Sequence, residues 1–217
     1  TGLVQPASRV TWRMAVAGPT PEADRFVRAG QWARLGGNSF GLGRKVSGAR
    51  MGVVGLGRIG QTIARRGLGF DMEVRYHTRR PVAGVPWAHE PSLTDLATWC
   101  DFLVVVTSGG PATRHLINEA VLNALGPRSF LVNVARGTVV DEAALIRALQ
   151  DGRIAGAGLD VFENEPQVPE ALLGMDNVVL LPHIASATHE TRQAMGQRVM
   201  DNLEAFERTG QLVSAAY

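Results

Sequence analysis

MGVVGLGRIGQTIARRGLGF, residues 51–70, is the stretch whose reading decides the fold. It begins as a short apolar run, passes through glycines and becomes a helical pattern, with Ile59, Ile63, Ala64 and Leu68 on one stripe. Gly55, Gly57 and Gly60 stand in G-x-G-x-x-G spacing. That spacing alone is weak, but after a strand and at the head of a helix it signals dinucleotide binding. Gly55 allows the tight turn, Gly57 keeps side-chain atoms away from a pyrophosphate, and Gly60 lets the helix close on the strand. The free N–H groups and the positive helix end then face the phosphates, with Arg58 and Ile59 on the same turn. The competing account is a glycine-rich strand-to-helix turn that binds nothing.

The same alternation continues downstream. MEVRYH (72–77), FLVVVT (102–107), SFLVNVA (129–135), AGAGLDVF (155–162) and NVVLLPH (177–183) read as further strands. Between them lie a short helix capped by Ser92 and a helix capped by Asp141 that carries Ala144, Leu145, Ala148 and Leu149. A last helix opens near Thr188, with Met195, Val199, Leu203 and Phe206 on one face. Apolar strands alternating with amphipathic helices predict an α/β fold, a doubly wound parallel (Rossmann) sheet covered on both faces. Residues 1–45 stand outside this rhythm as an N-terminal segment with one or two helices broken at Pro19 and Pro21. The nucleotide domain is expected over 46–187, and a C-terminal helix and tail over 188–217. GGNSFGLGRKVSG (36–48) reads as a flexible connection.

The 217 residues suffice for one sizeable core, and 45% hydrophobic with 19% charged residues is an ordinary composition for a soluble protein. A net charge of +2 carries no signal for nucleic acid or a membrane surface. No apolar run is long enough to span a bilayer, and no signal-peptide pattern opens the chain. The single cysteine, Cys100, excludes an internal disulfide and fits a reducing compartment, so a cytoplasmic location is expected. No metal site is expected.

RYHTRRPV, residues 75–82, arrives where such a fold usually places an acid for the adenosine ribose 2′-hydroxyl. Here the strand ends in Tyr76-His77 and is followed by Thr78-Arg79-Arg80. An aspartate would repel a 2′-phosphate, whereas two guanidinium groups can hold it through charge-assisted bonds and the Thr78 hydroxyl can add one more. The cofactor expected is therefore NADPH rather than NADH, the alternative being a solvated basic turn.

Three strand ends bear chemistry. Arg136, Glu165 and His183 would gather at the carboxyl edge of the sheet, where ligands of such folds sit. A cation, a carboxylate and an imidazole suit reduction of a 2-oxo acid. Arg136 can bind and polarise the oxo and carboxylate oxygens, His183 can give the oxygen a proton, and Glu165 can orient the ring and favour its protonated form. Each taken singly has an ordinary structural explanation. His89, His115 and His189 have no such company and read as surface residues.

From about Trp32 to about Thr209 the chain resembles the D-2-hydroxyacid dehydrogenase family, in its glyoxylate/hydroxypyruvate reductase branch. The motifs that carry the resemblance are GVVGLGRIGQTIARR, VNVARGTVVDEAAL, AGAGLDVFENEP and LLPHIASAT, in the family's order. The resemblance implies that Arg136, Glu165 and His183 are catalytic and that Asp160 lies by the nicotinamide carboxamide. It also implies that TSGGPATRHLI (107–117), beginning at Thr107, lines the adenosine side of the site. Ala135 and His77 join the expected cofactor contacts. The substrate implied is a small 2-oxo acid, reduced to the D-2-hydroxy acid, and the implied assembly is a homo-oligomer, a dimer in the family. The family also has a first, substrate-side domain of roughly 100 residues or more, of which this chain is expected to hold only a remnant and the C-terminal helix that returns to it. A second function is therefore carried alongside the first: an NADP-binding module or regulator with weak or no turnover.

Overall fold

The computed structural model describes residue 18, residues 20–36 and residues 41–214. Thr1 to Ala17, Pro19, the 37–40 part of the glycine-rich connection and the last three residues lie outside the described residues, and with them the break expected at Pro19. Two short helices come first, α1 (Thr20–Arg28) and α2 (Gln31–Leu35). Pro21 does not break α1. It sits in the first turn, where the missing N–H costs no intrahelical bond.

The glycine stretch forms β1 (Arg50–Val54) and α3 (Arg58–Leu68), followed by β2 (Glu73–His77), β3 (Ala88–His89) and α4 (Leu93–Trp99). After them come β4 (Phe102–Val105), α5 (Glu119–Leu125), β5 (Phe130–Asn133), α6 (Glu142–Gln150) and β6 (Gly156–Leu159). The chain then runs through α7 (Glu170–Leu173), β7 (Val178–Leu180) and α8 (His189–Thr209). The seven strands make one sheet in the order β3-β2-β1-β4-β5-β6-β7, and every pairing is parallel. The order doubles back at β1, so the connections before and after it cover opposite faces.

Strand sequence explains the two cores. β4, β5 and β6 are buried at every position, as strands covered on both sides must be. Alternate residues serve alternate faces. Leu103, Val105 and Leu131 pack with Leu96 of α4, Leu122 of α5 and Leu145 of α6, whereas Val53, Val104 and Val132 pack with Ile63 and Ala64 of α3. The helix starts follow capping chemistry: Ser92, Asn118, Asp141 and Thr188 each accept an N–H three residues on.

Some expectations need correction. The strands are shorter than their apolar runs, because several runs continue past the ladder into loops at the carboxyl edge. Leu68 does not join the buried stripe of α3 and is 49% exposed. Gly60, Ile63, Ala64 and Gly67 form that stripe, since glycines let the helix lie close to the sheet. His89 and His115 are not free surface residues. Each is partly buried, with Nε2 bonded to the Thr78 carbonyl at 2.9 Å and to Glu163 Oε1 at 3.1 Å respectively. His189 is exposed at the start of α8. No helix among the described residues is long and apolar enough to cross a membrane.

Candidate active site

The glycine turn has the geometry that its spacing implies. Gly55 has φ +94°, and a Cβ there would stand 2.8 Å from the Thr107 backbone. A Cβ on Gly60 would stand 2.1 Å from the Gly55 carbonyl oxygen, so only glycine lets α3 leave the turn at this angle. Gly57 differs: a Cβ there would meet nothing within 4 Å. Its side is open space at the start of α3, where the first N–H groups of the helix lack intrahelical partners. Arg58 lies exposed on the same turn.

The end of β2 lies beside this turn, because the Gly55 N–H donates to the His77 carbonyl at 2.9 Å. His77 turns its Nδ1 to the Glu90 carbonyl, 3.0 Å away. Arg79 and Arg80 are exposed, and among the described residues their guanidinium groups have no hydrogen-bond or ion-pair partner. The Thr78 hydroxyl donates to the Arg80 carbonyl at 2.7 Å. Its proton therefore orders the turn, and what it offers an incoming phosphate is the placement of the arginines.

At the carboxyl edge a cleft of about 1000 Å³ brings together Ile59, Thr107, Ala135, Arg136, Glu165 and His183. A slightly larger hollow, about 1100 Å³, lies at the opposite end of the strands beside α1 and holds none of the expected site residues. Size does not rank the two here; the chemistry sits in the smaller.

His183 Nδ1 faces Glu165 Oε2 at 2.8 Å, and the other carboxylate oxygen accepts the Phe162 N–H at 3.1 Å. Burial pushes the Glu165 carboxyl up, but His183, the Phe162 N–H and the nearby Arg136 charge together hold it below its ordinary value. The ionised carboxylate thus takes a proton bond from Nδ1 and leaves Nε2 as the nitrogen available to a ligand. His183 itself has φ 53°. Asp160 pins that turn: one carboxylate oxygen accepts the Ile184 N–H at 2.8 Å and the other the Ala185 N–H at 2.9 Å. Asp160 is buried below the cleft, so the structure gives it a supporting role first.

Arg136 is exposed, in extended backbone, with Nη1 donating to the Ala135 carbonyl at 2.6 Å. Its side chain crosses Gly109, where a Cβ would lie 2.6 Å from Arg136 Cγ. Two residues missed by sequence reasoning hold these loops. Asn133, 1% exposed, accepts the Ala135 N–H and donates to the Arg136 carbonyl, both at 3.1 Å. Glu163 binds Arg114 at 2.7 Å and His115 at 3.1 Å. A polar Asn inside the apolar run of β5 was the available signal for the first; nothing local marked the second.

The sequence profile of "D-isomer specific 2-hydroxyacid dehydrogenase, NAD binding domain" matches residues 10–185. The chain belongs to this family. It is 49% identical over 197 residues to a 2-ketogluconate reductase of Gluconobacter oxydans, covering 91% of this chain and 63% of that protein. A glyoxylate/hydroxypyruvate reductase of Arabidopsis thaliana is 47% identical over 184 residues, with 85% and 58% covered. Among solved structures, an NADPH-dependent glyoxylate/hydroxypyruvate reductase of Sinorhizobium meliloti, in complex with NADP and malonate, superposes with a TM-score of 0.93 at 46% identity. That alignment covers 97% of this chain and 66% of the other. The 217 residues of this family member thus span about 60% of the length of the curated relatives they match.

Proposed function

We propose that the protein reduces a small 2-oxo acid of the glyoxylate or hydroxypyruvate type to the D-2-hydroxy acid with NADPH. The observation that carries this is the Glu165–His183 pair, 2.8 Å apart, sharing one cleft with Arg136 at the carboxyl edge of a nucleotide-type sheet. Relatives named for reduction of 2-ketogluconate, glyoxylate and hydroxypyruvate support the substrate class.

The residues present suit a dinucleotide: a glycine turn with open space at Gly57, and just after β2 two arginines without a side-chain partner among the described residues, in a stretch, 75–82, that has no acid. Gly55 to Gly60 would hold its pyrophosphate, and Arg79 with Arg80 its 2′-phosphate. When bound, the nicotinamide supplies the hydride that reaches the oxo carbon. Arg136 binds the substrate carboxylate and offsets the charge that grows on the carbonyl oxygen. His183 passes a proton from Nε2 to that oxygen, while Glu165 holds the ring through Nδ1. The alcohol forms with the oxygen protonated and the substrate carboxylate unchanged.

NADPH oxidation with glyoxylate and with hydroxypyruvate is the test, run on the wild type and on His183→Asn. The expected result is loss of about 10²- to 10⁴-fold in kcat, the range for general acid catalysis, with NADPH affinity kept. Equal turnover in the two proteins would assign the proton to another group. One observation favours a second function, cofactor binding without turnover: the side chains of His183 and Glu165 are 47% and 35% exposed, in a cleft that admits water. Tight NADPH binding with no oxidation in the same assay is its signature.

A further inference from the structure

The groups of the proposed reaction lie on loops at the carboxyl edge, Arg136 after β5, Glu165 after β6 and His183 after β7, and the loop after β4 borders the same cleft. A side chain outside that set joins them. Glu163 Oε1 accepts from Arg114 Nη2 at 2.7 Å and meets His115 Nε2 at 3.1 Å, both on the loop after β4. The Glu163 N–H donates to Glu142 Oε2 at 3.2 Å, at the start of the helix that follows Arg136. The His115 N–H in turn donates to the Thr138 carbonyl at 2.9 Å, and the Ile117 N–H to the Val139 carbonyl at 3.0 Å. Gly137, adjacent to Arg136, is pressed on the Phe162–Glu163 peptide: a Cβ there would stand 1.9 Å from the Phe162 carbonyl carbon and 2.3 Å from the Glu163 nitrogen.

The charge pattern suits a structural tie. Glu163 is 19% exposed, and Arg114 covers it from solvent. Burial pushes the Glu142 carboxyl up; the Glu163 N–H counters this and the Glu163 charge adds to it, and the Arg114 guanidinium, 2.7 Å from Glu163, offsets this local surplus of negative charge. His115 adopts φ 49°, a region that residues with a Cβ seldom enter. Such conformations persist where surrounding contacts over-determine them. Although Glu163 borders the cleft, its carboxylate is already committed to two side chains and is a poor candidate for touching substrate.

We propose that Glu163 is a positioning residue: by clasping Arg114 and His115 it ties the loop after β4 to the loops that carry Arg136 and Glu165, and so sets Arg136 against the Glu165–His183 pair. Its kinetic consequence rests on the reductase function proposed above; the tie itself does not.

Hydrogen exchange reads the tie without turnover. In Glu163→Ala the amides of His115, Ile117 and Val139 exchange about tenfold faster or more, while those of β1 and β4 keep their rates, as expected for local opening. Arg114→Ala/His115→Ala produces the same change, and adding Glu163→Ala to it produces little more, because the residues act as one unit. Glu163→Gln, which keeps an acceptor oxygen for Arg114, restores most of the protection. In steady state, Glu163→Ala lowers kcat by about 10- to 100-fold, since a 1 Å misplacement can cost ~10²-fold, and raises KM for glyoxylate, whose carboxylate Arg136 also binds, while NADPH affinity moves less than about threefold. Unchanged exchange in these loops overturns the proposal, and so does full kcat in a variant whose loops have loosened. If the wild type oxidises no NADPH with any 2-oxo acid, the reductase function fails, and the exchange data alone decide for or against the tie.

Discussion

At the residue scale, the proposed cofactor choice and proton transfer rest on few groups. Arg79 and Arg80 are exposed and unpaired among the described residues, so replacing them disturbs no internal contact. Hydrogen bonds to charged groups contribute about 1.5–3 kcal/mol each. Arg79→Ala/Arg80→Ala should therefore weaken NADPH binding by at least about tenfold, leave NADH binding nearly unchanged and keep thermal stability. Fluorescence titration of both cofactors checks this, and equal wild-type affinities for the two would remove the role given to the arginines. Glu165 makes a pH-dependent contribution whose sign follows from its lowered pKa. The folded state binds the Glu165 proton more weakly than the unfolded chain does, so the contribution is fully present above the ordinary value of 4.5. It is lost as pH falls through the lower, folded value. The stability difference between wild type and Glu165→Gln should thus shrink as pH falls below 4.5. Urea unfolding at stepped pH measures it; a difference that grows on acidification would mean that Glu165 is not held ionised by its neighbours.

At the scale of the element, the strand–turn–helix from β1 to α3 separates two uses of glycine. Gly60→Ala places a methyl against the Gly55 carbonyl, 2.1 Å away, so backbone must shift. Overpacking of this kind costs about 1–3 kcal/mol or more, which the urea midpoint will show. Gly57→Ala meets no atom within 4 Å and keeps an ordinary φ of −70°. Its stability should stay within about ±0.5 kcal/mol, while NADPH affinity falls because the methyl enters the phosphate space. If Gly57→Ala binds NADPH as the wild type does, the pyrophosphate lies elsewhere. The sequence made this element legible because spacing, apolar run and helical stripe agree. It also revealed the caps at Ser92, Asp141 and Thr188, where one side chain decides a helix start. It left β3 and α5 unread. β3 is two residues long and owes its existence to its neighbour β2, while α5 has only seven residues, too few for its Asn118 cap and its buried Val121, Leu122 and Leu125 to make a sustained helical period. Arg136, Glu165 and His183 were legible as strand-end chemistry. Glu163 and the clamp made by Asp160 were not, because their side-chain partners lie 24 to 49 residues away in the chain and only folding brings them together. Asn133 was not either, because an Asn in an apolar run does not itself say which backbone groups it will hold, though here they are those of Ala135 and Arg136.

For the whole molecule, the question is what these 217 residues do with a site that is formed but open. The sheet places the glycine turn and the Arg136, Glu165, His183 cluster at its carboxyl edge. Yet α8 exposes Met195, Val199, Met200, Leu203 and Phe206 at 42% to 59%, a continuous apolar flank on a helix that buries only Thr191 and Ala205. Apolar surface of this kind normally marks a contact with another protein surface. The expected outcome is concentration-dependent self-association in sedimentation experiments, reduced in Val199→Glu/Leu203→Glu, whose substitutions touch neither core. The same openness would limit the proposed catalysis. Holding reactants in place can lower a barrier by about 7–11 kcal/mol, and much of that depends on walls that fix the substrate and keep water out. With His183 and Glu165 47% and 35% exposed, the cluster in its proposed role would polarise a 2-oxo acid without confining it. The 217-residue chain should therefore bind NADPH, with a fluorescence change that Arg79→Ala/Arg80→Ala shifts to higher NADPH concentration, yet oxidise it with glyoxylate far below the usual range of about 1–10³ per second. Turnover within that range would mean that the open side is closed in solution. If the Val199→Glu/Leu203→Glu protein then lost turnover together with its self-association, a second copy would be identified as the missing wall.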